Sequence, residues 1–184
     1  MELKIYRTHP EIVMPKFGTE QAACFDIAYQ PHGKQSYQGY NNRNTTFTRI
    51  IHDGSLTLMP GDRIMVPTGL IFDIPEGHSV RIHPRSGMSY KQGLVLANLE
   101  AVIDSDYVHE TFILLMNTSE NQQKIVPGDR IAQAELVPQL KYDLTETKTA
   151  PTQKTDRIGG LGSTGIATIV ITKKGPGRPK KKVA

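Results

Sequence analysis

Residues Arg63 to Pro84 read RIMVPTGLIFDIPEGHSVRIHP, and this stretch indicates the fold class. Its apolar residues are rich in valine and isoleucine and come in short runs separated by Pro-Thr-Gly and Pro-Glu-Gly. Short β-branched runs between turn formers are typical of strands, and prolines at this spacing would break a helix. The stretch therefore predicts short strands joined by tight turns.

The same pattern continues in both directions from this stretch. The segments QGLVLAN, TFILLMNTS, RIAQAELVP and IATIVIT are also short, apolar and bounded by turn residues. The sequence PGDR occurs at residues 60–63 and again at 127–130, and it predicts two similar β-turns. Residues 30–53 are polar and predict a surface insertion with a hairpin at TTFTRII. Six or more such strands predict an all-β sandwich, jelly roll or small barrel.

Length and composition predict one soluble domain with short additions. The chain has 184 residues, and its single cysteine, Cys24, excludes a disulfide framework within the chain. No secretory segment is apparent at the start, and the apolar runs are too short to cross a bilayer. We expect an intracellular protein without a membrane partner. The expected location is the cytoplasm: host cytoplasm for a viral source, with the nucleus as an alternative for a eukaryotic one.

The positive charge of the chain is concentrated at its C-terminal end. The net charge is +4, and subtracting the six positive charges after Thr172 leaves −2 for residues 1–172. A basic segment with few apolar residues does not order itself, so residues 173–184 are predicted to be a disordered tail. Its GPGRPKKK sequence resembles an AT-hook and predicts weak DNA contact, with a merely solvated tail as the alternative. The preceding IATIVIT (166–172) is predicted to be an extra strand.

A candidate phosphate-binding turn lies within HPRSGMSYKQGLVLAN, residues 83–98. Arg85 offers a planar fork of donors, Ser86 offers a hydroxyl group, and Gly87 allows backbone amides to approach a ligand closely. These features predict a phosphate cradle without a helix. The alternative is an ordinary surface turn.

Three other segments carry candidate polar groups. In LEAVIDSDYVHE a strand would place Asp104 as a general base and Tyr107 as a flat packing surface, or the acids are simply solvated at a hairpin tip. Gln133, at the end of GDRIAQ, can bridge a phosphate or lie on an exposed strand face. The segment RIGGLGSTG has the composition of a polyphosphate-wrapping loop, or equally of a flexible linker.

Five motifs in order, AACFDIAY, PRSGMSYKQG, NLEAVIDSDY, GDRIAQ and RIGGLGSTG, resemble those of the trimeric dUTP pyrophosphatase (dUTPase) family. The resemblance covers residues 4–165 apart from the insertion at 30–53, so residues 1–165 are expected to form one β domain with a C-terminal arm. It implies a β jelly roll of the β-clip type and a homotrimer with active sites at the subunit interfaces. It also implies that the chain hydrolyses dUTP to dUMP and pyrophosphate with Mg²⁺, which keeps uracil out of DNA and supplies dUMP for thymidylate synthesis.

The resemblance also implies a role for individual residues. Asp104 would activate the attacking water, and Asp26 would bind Mg²⁺ through water. Asn98 would read the uracil, and Tyr107 would pack under the deoxyribose. Substrate phosphates would be held by Arg85, Ser86, Gly87 and Gln133, and closed over by arm residues Arg157, Leu161, Gly162, Ser163 and Thr164.

The chain departs from the family pattern at several positions. Ala101 and His109 stand where the family usually has glycine, and Leu161 stands where it has an aromatic residue. These departures predict a reshaped hairpin and a slower enzyme. They also motivate an alternative function, a nucleotide-gated regulatory or DNA-binding protein with weakened turnover. A dCTP deaminase, which shares the fold, is disfavoured because VIDSDY and the glycine-rich arm resemble hydrolase motifs.

Overall fold

The structure is a computed structural model that describes residues 1–156 and residue 159. The chain divides into two compact units, Met1–Tyr142 and Asp143–Ala184. In the second unit, the described residues are exposed and form no strand or helix. The predicted strand at 166–172 and the predicted basic tail at 173–184 lie outside the described residues.

The first unit is built almost entirely of β-strands. Its one helix spans seven residues, and no helix in the described part of the chain is long and apolar enough to cross a membrane. In chain order the elements are β1 (Lys4–Arg7), β2 (Lys16–Phe17), β3 (Phe25–Ala28), β4 (Ser36–Tyr40), β5 (Thr46–Ile50), β6 (Leu56–Leu58), β7 (Arg63–Pro67), β8 (Leu70–Asp73), β9 (His78–His83), α1 (Ser86–Gln92), β10 (Leu94–Leu96), β11 (Ala101–Asp104), β12 (Phe112–Asn117), β13 (Gln123–Ile125) and β14 (Arg130–Pro138).

Two five-stranded antiparallel sheets form the body of this unit. Their strand orders are β10-β12-β7-β4-β5 and β11-β9-β14-β3-β2, and two ribbons, β1-β8 and β13-β6, complete the fold. Ile27, Val80 and Ile82 from one sheet share a single hydrophobic cluster with Ile64 and Leu115 from the other. The all-β prediction is confirmed, because both sheets bury one face in a common core and leave the other free for polar groups.

The two PGDR segments form the same turn. In the first, the Asp62 amide donates to the Met59 carbonyl (3.0 Å), and Gly61 has φ +78°. In the second, the Asp129 amide donates to the Val126 carbonyl (3.0 Å), and Gly128 has φ +88°. Proline followed by a positive-φ glycine at the two central positions defines a type II turn. The predicted pair of similar turns is confirmed.

The polar segment at 30–53 contains the predicted hairpin, formed by β4 and β5. This hairpin is continuous with the main sheet, because Gly39 and Tyr40 of β4 pair with β7. Tyr37 is buried, and its hydroxyl donates to the carbonyl of Thr57 (2.7 Å). The segment thus adds two strands to the main sheet. Its polar composition indicated a surface position but not these added strands.

A buried ion pair fastens the hairpin to the first PGDR turn. Arg49 on β5 donates to the carboxylate of Asp62 (2.5 Å), and the Asp62 side chain is only 2% exposed. Burial lowers the pKa of Arg49, but hydrogen bonds and charge interactions with Asp62 and Tyr37 together outweigh burial and raise the pKa overall. The same carboxylate oxygen accepts from the amide of Met59 (2.9 Å). The buried carboxylate is therefore satisfied by one cation and one backbone amide.

We predict that Gly39→Ala lowers the free energy of unfolding by about 1–3 kcal/mol, the usual effect of overpacking. A Cβ at this position would lie 2.4 Å from the backbone oxygen of Arg63, which cannot move without breaking the sheet. Urea unfolding at fixed protein concentration measures the loss. Gly18→Ala is the matched control, because a Cβ added at Gly18 would meet nothing within 4 Å. Equal stabilities of the two variants would contradict the prediction.

Candidate active site

A row of polar side chains crosses three adjacent strands of the second sheet. Gln133 on β14 stands opposite Asp26 on β3 and opposite His83 on β9. Directly paired residues of antiparallel strands point to the same face of a sheet. Their neighbours along the strands are buried, so the three side chains lie on the face away from the core.

Asp26 is the centre of a charged cluster at this end of the sheet. Its two carboxylate oxygens contact Arg85 Nε (2.7 Å) and Arg130 Nη1 (2.9 Å), and the Asp26 side chain is 18% exposed. Arg85 also donates to the carbonyl of Arg130 (3.1 Å). Two guanidinium groups around one carboxylate leave a net positive charge, which favours an anionic ligand.

Ser86 and Gly87 begin helix α1 directly after this cluster. The prediction of a cradle without a helix is therefore wrong, because residues 86–92 wind into two turns with Arg85 at the N-cap. Both residues are exposed, and a Cβ added at Gly87 would meet nothing within 4 Å. Packing within the chain gives no reason for glycine here, whereas close approach of a ligand to the backbone does.

Gln133 holds the chain that leads into the helix. Its side-chain amide donates to the carbonyl of Pro84 (3.0 Å), one residue before Arg85. Next to it, His83 Nε2 lies 3.1 Å from a carboxylate oxygen of Glu135. The sheet thus fixes the backbone from which Arg85, Ser86 and Gly87 project.

The surroundings of the single cysteine, Cys24, disfavour its reactive thiolate form. Burial raises the pKa of the Cys24 thiol, and the nearby negative charges of Glu135 and Asp26 raise it further. A thiol with a raised pKa stays protonated near neutral pH and reacts slowly.

The second group of candidate residues lies along β11 and the turn after it. Asp104 ends β11 opposite Ser79 of β9, and its side chain is exposed. The amide of Tyr107 donates to the carbonyl of Asp104 (3.1 Å), which forms a tight turn. The Tyr107 hydroxyl donates to the Glu110 carbonyl (3.1 Å), and its ring packs edge-on against His109. Tyr107 is thereby held in place with part of its ring open.

The turn before β11 contains backbone strain, but not at the residues where the family has glycine. Leu99 has φ +63°, whereas neither Ala101 nor His109 has a positive φ. The Glu100 amide donates to the Asn98 carbonyl (2.7 Å), so Leu99 is the centre of a three-residue turn. A leucine in this conformation is costly and is found mainly where function requires it. Ala101 lies in regular strand, so its departure from glycine adds no strain.

One chain does not bring the two groups together. Ser79 and His83, the β9 partners of Asp104 and Gln133, are four residues apart, or about 13 Å along the strand. Strands β11 and β3 are separated by three strand spacings, or about 14 Å. Asp104 and the cluster around Asp26 are therefore roughly 19 Å apart on the same sheet.

The arm residues Arg157, Leu161, Gly162, Ser163 and Thr164 lie outside the described residues. Among those described, the sequence analysis missed one member of the site, Arg130. It lies in the motif GDRIAQ, three residues before Gln133, and was assigned only to a turn. Its reach to Asp26 follows from an irregularity in β14, where the register with β3 shifts between Arg130 and Ala132.

The fold and this face define a jelly-roll protein with a cluster of cationic side chains around Asp26 at one end of the second sheet. The family model described as dUTPase matches residues 50–165. The chain is 43% identical over 119 residues to the deoxyuridine 5'-triphosphate nucleotidohydrolase of Brucella melitensis biotype 2, covering 64% of this chain and 74% of that protein. It is 39% identical over 150 residues to the protein of the same name from Methylocella silvestris, covering 78% of this chain and 92% of that protein. The chain belongs to the dUTPase family.

Solved structures give the same fold. The dUTPase of Streptococcus mutans matches with a TM-score of 0.60 at 23% identity, over 78% of this chain and 99% of that one. The Staphylococcus bacteriophage 80alpha dUTPase with dUPNHPP matches with a TM-score of 0.69 at 20% identity, over 90% of this chain and 99% of that one. At these identities the similarity establishes the fold, and the jelly-roll prediction is confirmed.

We predict that Leu99→Gly raises the free energy of unfolding by about 0.5–1 kcal/mol. Glycine relieves the positive-φ strain, which outweighs its larger entropy in the unfolded chain, and the lost side chain is 79% exposed. Urea unfolding at fixed protein concentration measures the change. Val108→Gly, at an exposed position without positive φ, is the control and should be destabilising. A loss of stability in both variants would show that Leu99 is unstrained.

Proposed function

We propose that this protein is a dUTP diphosphatase that hydrolyses dUTP to dUMP and pyrophosphate. The observation that carries the proposal is the match to the dUTPase family over residues 50–165. Asp26, Arg85 and Gln133, the counterparts of the family's metal- and phosphate-binding residues, meet on one sheet face, which supports it. The reaction would keep uracil out of DNA and supply dUMP for thymidylate synthesis. A cytoplasmic location fits an enzyme whose single cysteine forms no disulfide.

The phosphates of the substrate would bind at the start of α1. Arg85 offers a guanidinium group, Ser86 offers a hydroxyl group, and Gly87 leaves space at the backbone. A triphosphate carries about four negative charges, so fixed donors and cations contribute most of the catalysis in displacements at phosphorus. Gln133 and Arg130 keep this constellation in position through Pro84 and Asp26.

Asp26 fits a role as a ligand of hydrated Mg²⁺. One of its oxygens accepts a hydrogen bond from Arg130, the other lies 2.7 Å from Arg85 Nε, and both keep lone pairs for a further partner. Mg²⁺ usually retains several of its waters in proteins, so contact through water suits this partly occupied carboxylate. The ion would neutralise phosphate charge and orient the triphosphate when bound.

Asp104 would act as the general base. Its carboxylate accepts a proton from a water molecule whose oxygen attacks the α-phosphorus, and the bond from that phosphorus to the bridging oxygen breaks. The products are then dUMP and pyrophosphate. Tyr107 would pack against the deoxyribose, while Asn98 and the backbone beside Leu99 would read the uracil edge. Arm residues Arg157, Leu161, Gly162, Ser163 and Thr164 would close over the phosphates and exclude water.

The active site would be assembled from different chains of a homotrimer. A general base must lie within hydrogen-bond reach of its water molecule, yet Asp104 is roughly 19 Å from the cluster around Asp26 in one chain. A neighbouring subunit that places its own β11 beside this cluster would remove the gap. The exposed polar face of the second sheet supports such an arrangement.

We predict that Asp104→Asn lowers the turnover of dUTP by about 10²–10⁴-fold, because the variant cannot accept the proton. The assay measures pyrophosphate release from dUTP, dTTP, dCTP and UTP, with and without Mg²⁺. Asp106→Asn is the matched control and should stay active. Release from all four nucleotides alike, or full activity of the Asp104 variant, would contradict the proposal. Ammonia release from dCTP would instead identify a deaminase.

Mixed oligomers test whether the site is shared between chains. Asp104→Asn and Arg85→Ala chains should each be inactive alone. When they are co-expressed in equal amounts, about one quarter of the sites should combine an intact Asp104 with an intact Arg85 from another chain. Pyrophosphate release from purified mixed oligomers measures this recovery. No recovery would place both residues in a site within one chain.

A further inference from the structure

A second cluster of potential metal ligands lies away from the candidate active site. His9 and Glu11 occupy the loop after β1, and His32 lies in the segment between β3 and β4. Their ligand atoms all lie within 4.8 Å of one another. A carboxylate oxygen of Glu11 is 3.4 Å from Nδ1 of His32 and 3.9 Å from Nδ1 of His9. Two distant parts of the chain thus present two imidazoles around one carboxylate.

The loop that carries His9 and Glu11 is held by several contacts. The amide of Ile12 donates to the carbonyl of His9 (3.1 Å), which closes a turn around Glu11. The Arg7 guanidinium group donates to the carbonyls of Pro10 (2.9 Å) and Ile12 (3.0 Å). The Ile12 side chain is buried in the core. The backbone of this loop is therefore already ordered, which reduces the conformational entropy that binding of a ligand would cost.

A side-chain latch joins this loop to the segment that carries His32. Gln30 accepts from the amide of Val13 (2.6 Å) and donates to the carbonyl of the same residue (3.1 Å). After Gln30, a turn is closed by the amide of Lys34 and the carbonyl of Pro31 (2.7 Å). The latch and the turn bring His32 against His9, with ring centroids 3.5 Å apart.

We propose that His9, Glu11 and His32 bind one divalent transition-metal ion of the Zn²⁺ class. Two imidazoles and one carboxylate form a donor set used by zinc sites that keep a fourth position for water. In a tetrahedron with bonds of about 2.0–2.1 Å, ligand atoms are about 3.3 Å apart. The 3.4 Å separation matches this value, and the 3.9 Å separation requires only a small closure. Imidazole donors favour Zn²⁺, Co²⁺ or Ni²⁺ over the hard Mg²⁺ ion.

Metal binding requires the two rings to turn. The rings are stacked with an interplanar angle of 22°, whereas each ring plane must point at a shared ion. The side chains of His9 and His32 are 41% and 37% exposed, so part of each ring has solvent into which it can turn. The weak bond from the Glu11 amide to His9 Nδ1 (3.3 Å) would be exchanged for the metal bond. The ion would link the start of segment 30–53, through His32, to the loop that carries His9 and Glu11.

The test uses the full chain without a histidine tag, stripped with EDTA and free of nucleotide. Calorimetric titration with Zn²⁺ should give one ion per chain. His9→Ala and His32→Ala should each weaken binding by more than about 100-fold, exceeding the 10–100-fold effect typical of residues that only support a ligand. His52→Ala, which removes a histidine from the same segment, should bind as the unmodified chain does. Thermal melting should show a rise in Tm with Zn²⁺ for the unmodified chain and the His52 variant only.

A spectroscopic arm keeps the proposal testable if one variant folds poorly. Co²⁺ bound by two imidazoles and a carboxylate in a tetrahedral site gives visible absorption, and Glu11→Gln should reduce and shift it. Equal Zn²⁺ binding by the unmodified chain and both histidine variants would overturn the proposal. The proposal would also be overturned if the His52 variant lost binding to the same extent as the His9 and His32 variants. It would likewise be overturned if the unmodified chain bound no Zn²⁺.

Discussion

The antiparallel register of β14 between β3 and β9 is the constraint on which the candidate site depends. It places Gln133 between Asp26 and His83 and turns all three away from the core. A slip of one residue would exchange the two faces of β14, bury Gln133 and remove it from the polar row. The irregularity near Arg130 adds a local bend, which allows a residue from the strand end to reach Asp26. Packing of Ala132 and Ala134 into the core therefore fixes the polar site on the opposite face.

Local signals in the sequence predicted the strands and turns, but not the contacts between distant segments. The PGDR turns follow from the conformations of proline and glycine alone. The helix at Ser86 was missed because Gly87 disfavours helix, whereas packing of Met88 into the core favours it. The pairing of Arg130 with Asp26 depends on strand register, which no local pattern contains. The cluster of His9 with His32 was missed because it depends on contact between two loops that are distant in the sequence.

The two halves of the candidate site differ in how they are stabilised. The side around Asp26 and Arg85 is held by ion pairs and by a hydrogen bond from the Gln133 side-chain amide to the carbonyl of Pro84. The side around β11 depends on a strained turn at Leu99 and on the hydroxyl of Tyr107. The first kind of support responds to charge substitutions and to salt, whereas the second responds to backbone substitutions. The departures at Ala101 and His109 fall on the second side, and neither residue has a positive φ there.

The ion pair between Arg49 and Asp62 makes the polar segment inseparable from the rest of the fold. Asp62 belongs to a turn at the entrance to β7, whereas its cationic partner is supplied by the hairpin. Removing the hairpin would leave a buried carboxylate with only a backbone amide as partner. A lineage could therefore gain or lose residues 30–53 only with a compensating change at Asp62. An engineer who wishes to shorten this chain should replace both at once.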